Sequence, residues 1–89
     1  MIDLTSKVVC ITGTLPVTRR EAAEMIVKTG GIFTPRVTRQ TDILVVGIFP
    51  SDRTSTRKYA AALKLIDEGY HIVLISPSAF LESIHFNDL

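Results

Sequence analysis

Ile43-Leu44-Val45-Val46 is an unbroken apolar run, rich in β-branched residues and closed by Gly47. A strand with one wet face alternates apolar and polar residues. A continuous run of this length is the signature of a strand covered on both faces in a parallel sheet. The pattern recurs at Val8-Val9-Cys10-Ile11 and at Ile72-Val73-Leu74-Ile75. A weaker run, Ile32-Phe33-Thr34, is stopped by Pro35, which cannot donate to a ladder and so places this strand at a sheet edge.

Between the runs lie helical patterns. Thr18-Arg19-Arg20-Glu21 is a capping box, with Thr at the N-cap and Glu three residues on. It opens a helix whose Ala22, Met25 and Ile26 share a face, and Gly30-Gly31 ends it. A second helix starts near Thr54 to Thr56, carries Tyr59, Ala62, Leu63 and Ile66 at helical spacing, and closes at Gly69. Ser76-Pro77, an N-cap followed by proline at the first helical position, launches a third helix with Phe80, Leu81 and Ile84 inward. The order is β-α-β-β-α-β-α. The link from Phe33 to Ile43 is too short for a helical crossover, yet long enough to reach a non-neighbouring strand. The fold class expected is α/β, an open parallel sheet with helices on both faces, and residues 1–89 are read as a single domain.

Composition excludes several classes. With 89 residues, 46% of them hydrophobic and 21% charged, the chain has the make-up of a folded domain and no room for a separate catalytic one. Cys10 is the only cysteine, so no internal disulfide forms, which fits a reducing compartment such as cytoplasm or nucleus. Its place in an apolar run marks it as a buried thiol. No stretch matches a membrane span or a secretory signal, and no membrane partner is expected. Net charge is +1, but Arg19, Arg20, Lys28, Arg36, Arg39, Arg53, Arg57 and Lys58 all precede an acidic C-terminal third. Neither a G-x-G-x-x-G turn nor a G-x-x-x-x-G-K-[ST] loop occurs. His71 and His85 are isolated, and one cysteine makes no structural zinc site with them. No catalytic constellation, metal site or cofactor is expected.

The remaining candidate is the turn after the first strand, Ile11-Thr12-Gly13-Thr14-Leu15. In open parallel sheets, ligands collect at the carboxyl ends of strands, where neighbouring connections diverge. If the strand order is 2-1-3-4, Thr12 and Gly13 would face the segment from Gly47 to Lys58. Thr12 supplies a hydroxyl, and Gly13 exposes an N–H with no side chain to block approach. Arg57 and Lys58, at the start of the second helix, oppose its dipole unless an anion sits between.

These segments together resemble a BRCT domain over nearly the whole chain. The likeness rests on Ile11-Thr12-Gly13-Thr14-Leu15, Arg20-Glu21-Ala22, Gly30-Gly31, the stretch Val37-Thr38-Arg39-Gln40-Thr41-Asp42-Ile43-Leu44-Val45-Val46-Gly47, Lys58-Tyr59, Ile75-Ser76 and Phe80-Leu81. It is most similar to the type found in bacterial NAD-dependent DNA ligases and the large subunit of replication factor C. The resemblance implies a three-layer α/β/α fold with a four-stranded parallel sheet ordered 2-1-3-4, the first and third helices on one face and the second on the other. It implies a phosphate pocket of Thr12, Gly13 and Lys58, joined by Arg20, for a 5′-phosphorylated DNA end. Arg19, Arg36, Arg39, Arg53 and Arg57 are candidate contacts to the DNA backbone. Many eukaryotic relatives carry a tryptophan in the third helix; here Phe80 takes that place.

The leading expectation is thus a non-catalytic module of DNA replication or repair, monomeric, that docks on a DNA end. Two alternatives stand beside it. One is a protein-interaction module, phosphate-dependent or not, with Phe49 as a possible apolar anchor; selective phosphopeptide reading usually needs two repeats. The other is a domain excised from a larger enzyme such as a DNA ligase or exonuclease.

Overall fold

The computed structural model describes residues 2–49 and 56–88, with side chains described as far as residue 84. Its elements follow the order β1 (Val8–Thr12), α1 (Arg19–Lys28), β2 (Ile32–Phe33), β3 (Ile43–Val46), α2 (Arg57–Asp67), β4 (Val73–Ile75) and α3 (Pro77–Asp88). The four strands form one parallel sheet in the order β2-β1-β3-β4. The chain leaves β2 at one edge, passes over β1 without a helix, and enters β3 on the far side. Val37, midway along that link, packs on the α2 side of the sheet.

Strand side chains alternate between faces, and the two faces hold two separate cores. Val9, Ile11, Ile43, Val45 and Ile75 pack with Ala22 and Ile26 of α1 and with Phe80 and Ile84 of α3. Cys10, Leu44 and Ile72 pack with Ala62 of α2. The layers are therefore α1 and α3, the sheet, then α2. Phe80 is fully buried in the larger core, a contribution of about 1.5–3 kcal/mol. Leu4, ahead of the first strand, is fully buried in the same cluster.

Two expectations are corrected. Leu63 and Ile66 do not line the α2 contact: both are exposed, and the packed stripe is Tyr59, Ala62 and Leu65. Ala62 seats α2 over the central strands, in one cluster with Cys10 and Leu44, and the Leu63 and Ile66 stripe of α2 stays wet. The strands are also not covered throughout, since Ile32 on edge strand β2 and Val73 on edge strand β4 are more than half exposed.

The helix ends behave as their sequences require. Thr18 accepts from the Glu21 N–H, Thr56 from the Tyr59 N–H, and Ser76 from the Ala79 N–H. At the other end of α1, Gly30 N–H donates to Val27 and Gly31 N–H to Ile26, the paired bonds of a Schellman stop.

The Thr38 to Asp42 segment locks the third strand to the first. Thr38 N–H donates to the buried Thr41 hydroxyl, and Thr41 N–H returns to the Thr38 carbonyl. Asp42 then uses its carboxylate to accept the Val8 N–H at 2.8 Å, while its own N–H donates to the Val8 carbonyl at 2.8 Å. The first rung of the β1–β3 ladder is held by a charge-assisted bond. This fixes the register that brings Thr12 opposite Val46.

Candidate phosphate pocket at the carboxyl end of the first strand

The turn after β1 and the segment after β3 are clamped together. Gly47 N–H donates to the Thr12 carbonyl at 2.8 Å. Thr14 and Ile48 then exchange N–H···O=C bonds of 2.8 and 2.9 Å as an antiparallel bridge. Close approach depends on two glycines. A Cβ at Gly47 would lie 2.5 Å from the Thr14 carbonyl oxygen. Gly13 has φ +79°, a region that L residues rarely enter, and a Cβ there would lie 2.8 Å from the Gly47 carbonyl carbon. The Gly13 N–H has no hydrogen-bond partner among the described residues.

Thr12 is buried and its hydroxyl is hydrogen-bonded to that of Thr56, the N-cap of α2. Sequence reading placed Thr56 only as a helix start. Its position two residues before Lys58 was the available signal, because an N-cap hydroxyl sits at the mouth of the helix's free N–H groups.

Two cations meet at one backbone oxygen. Lys58 Nζ donates to the Ile11 carbonyl at 3.0 Å. Arg19 Nη1 donates to the same carbonyl at 3.4 Å, and its Nη2 to the Gly13 carbonyl at 3.3 Å. No carboxylate pairs with Arg19 or Lys58 among the described residues. Both positive charges reach the Cys10 thiol as well: burial pushes its pKa up, and Lys58 and Arg19 partly oppose that shift. A cavity of about 450 Å³ opens beside the turn, lined by Gly13 to Arg19.

The structure thus brings Thr12, Gly13 and Lys58 together, and it sets Arg19 against the turn beside the expected Arg20. Arg20 lies on the exposed face of α1, paired with Glu24 at 3.4 Å. Arg19, one position earlier, is the arginine at the turn. Successive helix residues differ by about 100° in azimuth; both side chains are exposed, and Arg19 is the one that reaches the turn's carbonyls. Arg57 is exposed at the first position of α2, beside Lys58. Arg36 follows β2, at the same end of the sheet. Arg39 is at the opposite end, where its guanidinium lies 5.9 Å from the Tyr70 ring centroid ahead of β4, so it does not join the pocket. Arg53 lies outside the described residues. Phe49 is not a free anchor, since its ring meets Tyr59 edge-on at 5.5 Å.

The arrangement is rich in donors: a backbone N–H, hydroxyls, an ammonium and a guanidinium around the start of a helix. Such a set is chemically suited to hold an oxyanion. Among the described residues no group of His, Cys, Asp and Glu could hold a metal ion.

Comparison with known proteins agrees with the architecture. The chain is 40% identical over 65 residues to a DNA ligase of Thermodesulfovibrio yellowstonii, covering 64% of this chain and 10% of the ligase. It is 36% identical over 73 residues to a DNA ligase of Roseiflexus sp., covering 81% of this chain and 10% of that protein. The chain therefore spans about a tenth of the length of these relatives. Among solved structures it superimposes on Rad4 BRCT1,2 in complex with a Crb2 phosphopeptide, with TM-score 0.72 and 28% identity, over 96% of this chain and 41% of that one. The same figures hold for Rad4 BRCT1,2 with an Mdb1 phosphopeptide. The family model for the BRCA1 C Terminus (BRCT) domain matches residues 1–84. With the 2-1-3-4 parallel sheet, the three helices in their layers and this match over nearly the whole length, the chain belongs to the BRCT domain family.

Proposed function

We propose that this domain is a non-catalytic docking module for a phosphate monoester, and that its ligand is the 5′-phosphorylated end of a DNA duplex. The observation that carries the reading is the convergence of Arg19 and Lys58 on the Ile11 carbonyl, beside a Gly13 N–H that has no hydrogen-bond partner among the described residues. Two cations sharing one neutral acceptor repel each other, and a dianion between them relieves the repulsion. Arg20, Arg36 and Arg57, exposed at the same end of the sheet, suit a polyanion that continues past the terminal phosphate. Contacts of that kind weaken with salt and carry little sequence preference. The relatives named as DNA ligases favour DNA as the polymer. Within such a longer enzyme, the domain would hold the substrate while chemistry occurs elsewhere.

A second reading has its own support. The Rad4 structures hold phosphopeptides, and a phosphoserine presents the same dianionic monoester to the same donors. Fluorescence anisotropy with a hairpin duplex, with and without a 5′-phosphate at its one blunt end, separates the two when a phosphoserine peptide is the competitor. The phosphorylated hairpin is expected to bind tighter. Lys58→Ala, which removes a charge-assisted bond of about 1.5–3 kcal/mol, is expected to weaken it by roughly 10- to 150-fold with the fold intact. Equal affinity for the two hairpins would sink the DNA-end reading. Preferential displacement by the peptide would transfer the pocket to a phosphoprotein.

A further inference from the structure

Ile48 is the most exposed of the large hydrophobic residues described, at 74% of its surface. Isolated exposed apolar residues are ordinary, but this one is held at both ends. Its N–H and C=O are both engaged by Thr14. The next residue, Phe49, is fixed by its edge-on contact with Tyr59. The bridge itself exists only because Gly47 and Gly13 permit the backbones to approach. A bare apolar side chain is thereby presented on a rigid support one residue across from the Gly13–Thr14 turn, where paired residues have Cα atoms about 5.5 Å apart.

Resting on the phosphate-pocket reading, we infer that Ile48 is a specificity residue that packs on the exposed face of the terminal base pair when the 5′-phosphate occupies the pocket. A duplex end differs from an internal phosphate in its charge, in its free 3′-hydroxyl and in the unstacked apolar face of its last base pair. Ile48 lies beside the nucleotide that carries the bound phosphate and meets that face without needing a polar partner. An extended peptide is the poorer fit at this position. It would seek main-chain hydrogen bonds, and both main-chain groups of Ile48 are already used. Apolar side chains set against base steps are an established physical mode of DNA contact.

The test is a thermodynamic cycle by fluorescence anisotropy. One hairpin has an intact blunt 5′-phosphorylated end, and a second is identical except for abasic sites in its terminal pair. Ile48→Ala is expected to weaken the intact end by about 5-fold, the share of a partly buried isoleucine, and to leave the abasic end unchanged. Its thermal melt and the response of the Gly13 amide to inorganic phosphate should match the parent's. Equal weakening of both hairpins, or no weakening of either, overturns the inference. So does a loss confined to a phosphoserine peptide, which would make Ile48 a peptide contact. If the parent protein binds the intact hairpin equally with and without its phosphate, and Lys58→Ala changes nothing, the pocket reading itself has failed. Should Lys58→Ala act while Ile48→Ala does not, only the base-pair contact has failed.

Discussion

Gly47→Ala tests whether the pocket depends on the close approach of two backbones. The added Cβ would sit 2.5 Å from the Thr14 carbonyl oxygen and 2.9 Å from its carbon, against the 3.4 Å at which ordinary contact begins. Both atoms are main chain, so no rotamer change relieves the clash. The Gly47 to Thr14 separation must widen by about 0.9 Å, which carries the 2.8 and 2.9 Å bridge bonds out of hydrogen-bonding range. Two backbone bonds at about 0.5–1.5 kcal/mol each are lost, and residual overpacking adds about 1–3 kcal/mol. The stiffer unfolded chain returns about 0.4–1 kcal/mol. The net loss is roughly 1–5.5 kcal/mol, which at about 4–8 °C per kcal/mol lowers the melting temperature by roughly 4–45 °C. Thermal denaturation measures this, and amide hydrogen exchange at Thr14 and Ile48 locates it. A variant that melts within about 2 °C of the parent, or keeps both amides slow to exchange, would refute the clamp.

Two further outcomes follow from the same geometry. Arg19→Ala is expected to weaken the 5′-phosphorylated hairpin by roughly 10-fold or more, whereas Arg20→Ala, which breaks only an exposed pair with Glu24, should change binding no more than the loss of a peripheral charge does; parallel anisotropy titrations decide, and the reverse ranking would restore Arg20 to the pocket. Cys10, buried and with its pKa raised by burial, should resist thiol reagents in the folded protein at neutral pH and react on unfolding. Its raised folded pKa adds stability that is intact below the unfolded thiol's pKa and is lost as pH climbs through the folded value, so Cys10→Ser should flatten the alkaline limb of a stability profile.

The sheet was legible in the sequence because a buried parallel strand cannot hide: Ile43 to Val46 has no polar residue to spare for solvent. The strand order came from the short Phe33–Ile43 link and from the BRCT likeness. Thr12, Gly13 and Lys58 were legible because each is defined along the chain, by a strand end, a turn or a helix start. The bonds of Arg19 to the turn were not, since placing one of two neighbouring arginines against the turn requires the helix azimuth, which depends on where the N-cap falls. The wet stripe of Leu63 and Ile66 was equally hidden: periodicity shows that a helix has an apolar side, not how wide a surface awaits it. Ile48 offered no signal, because a single isoleucine after a strand reads as the tail of the strand until its backbone partner is known.

The acceptor that gathers Lys58 and Arg19 is the carbonyl of Ile11, which belongs to the peptide chain and not to a side chain. No point mutation deletes it. Residue 11 can drift among core-compatible types to suit the α1 and α3 side of the sheet while the cation anchor stays in place. A core substitution at position 11 therefore leaves the carbonyl acceptor of the candidate pocket in place. A pocket anchored by an aspartate in that role would be open to loss in a single codon change, and its negative charge would oppose the anion proposed for this pocket.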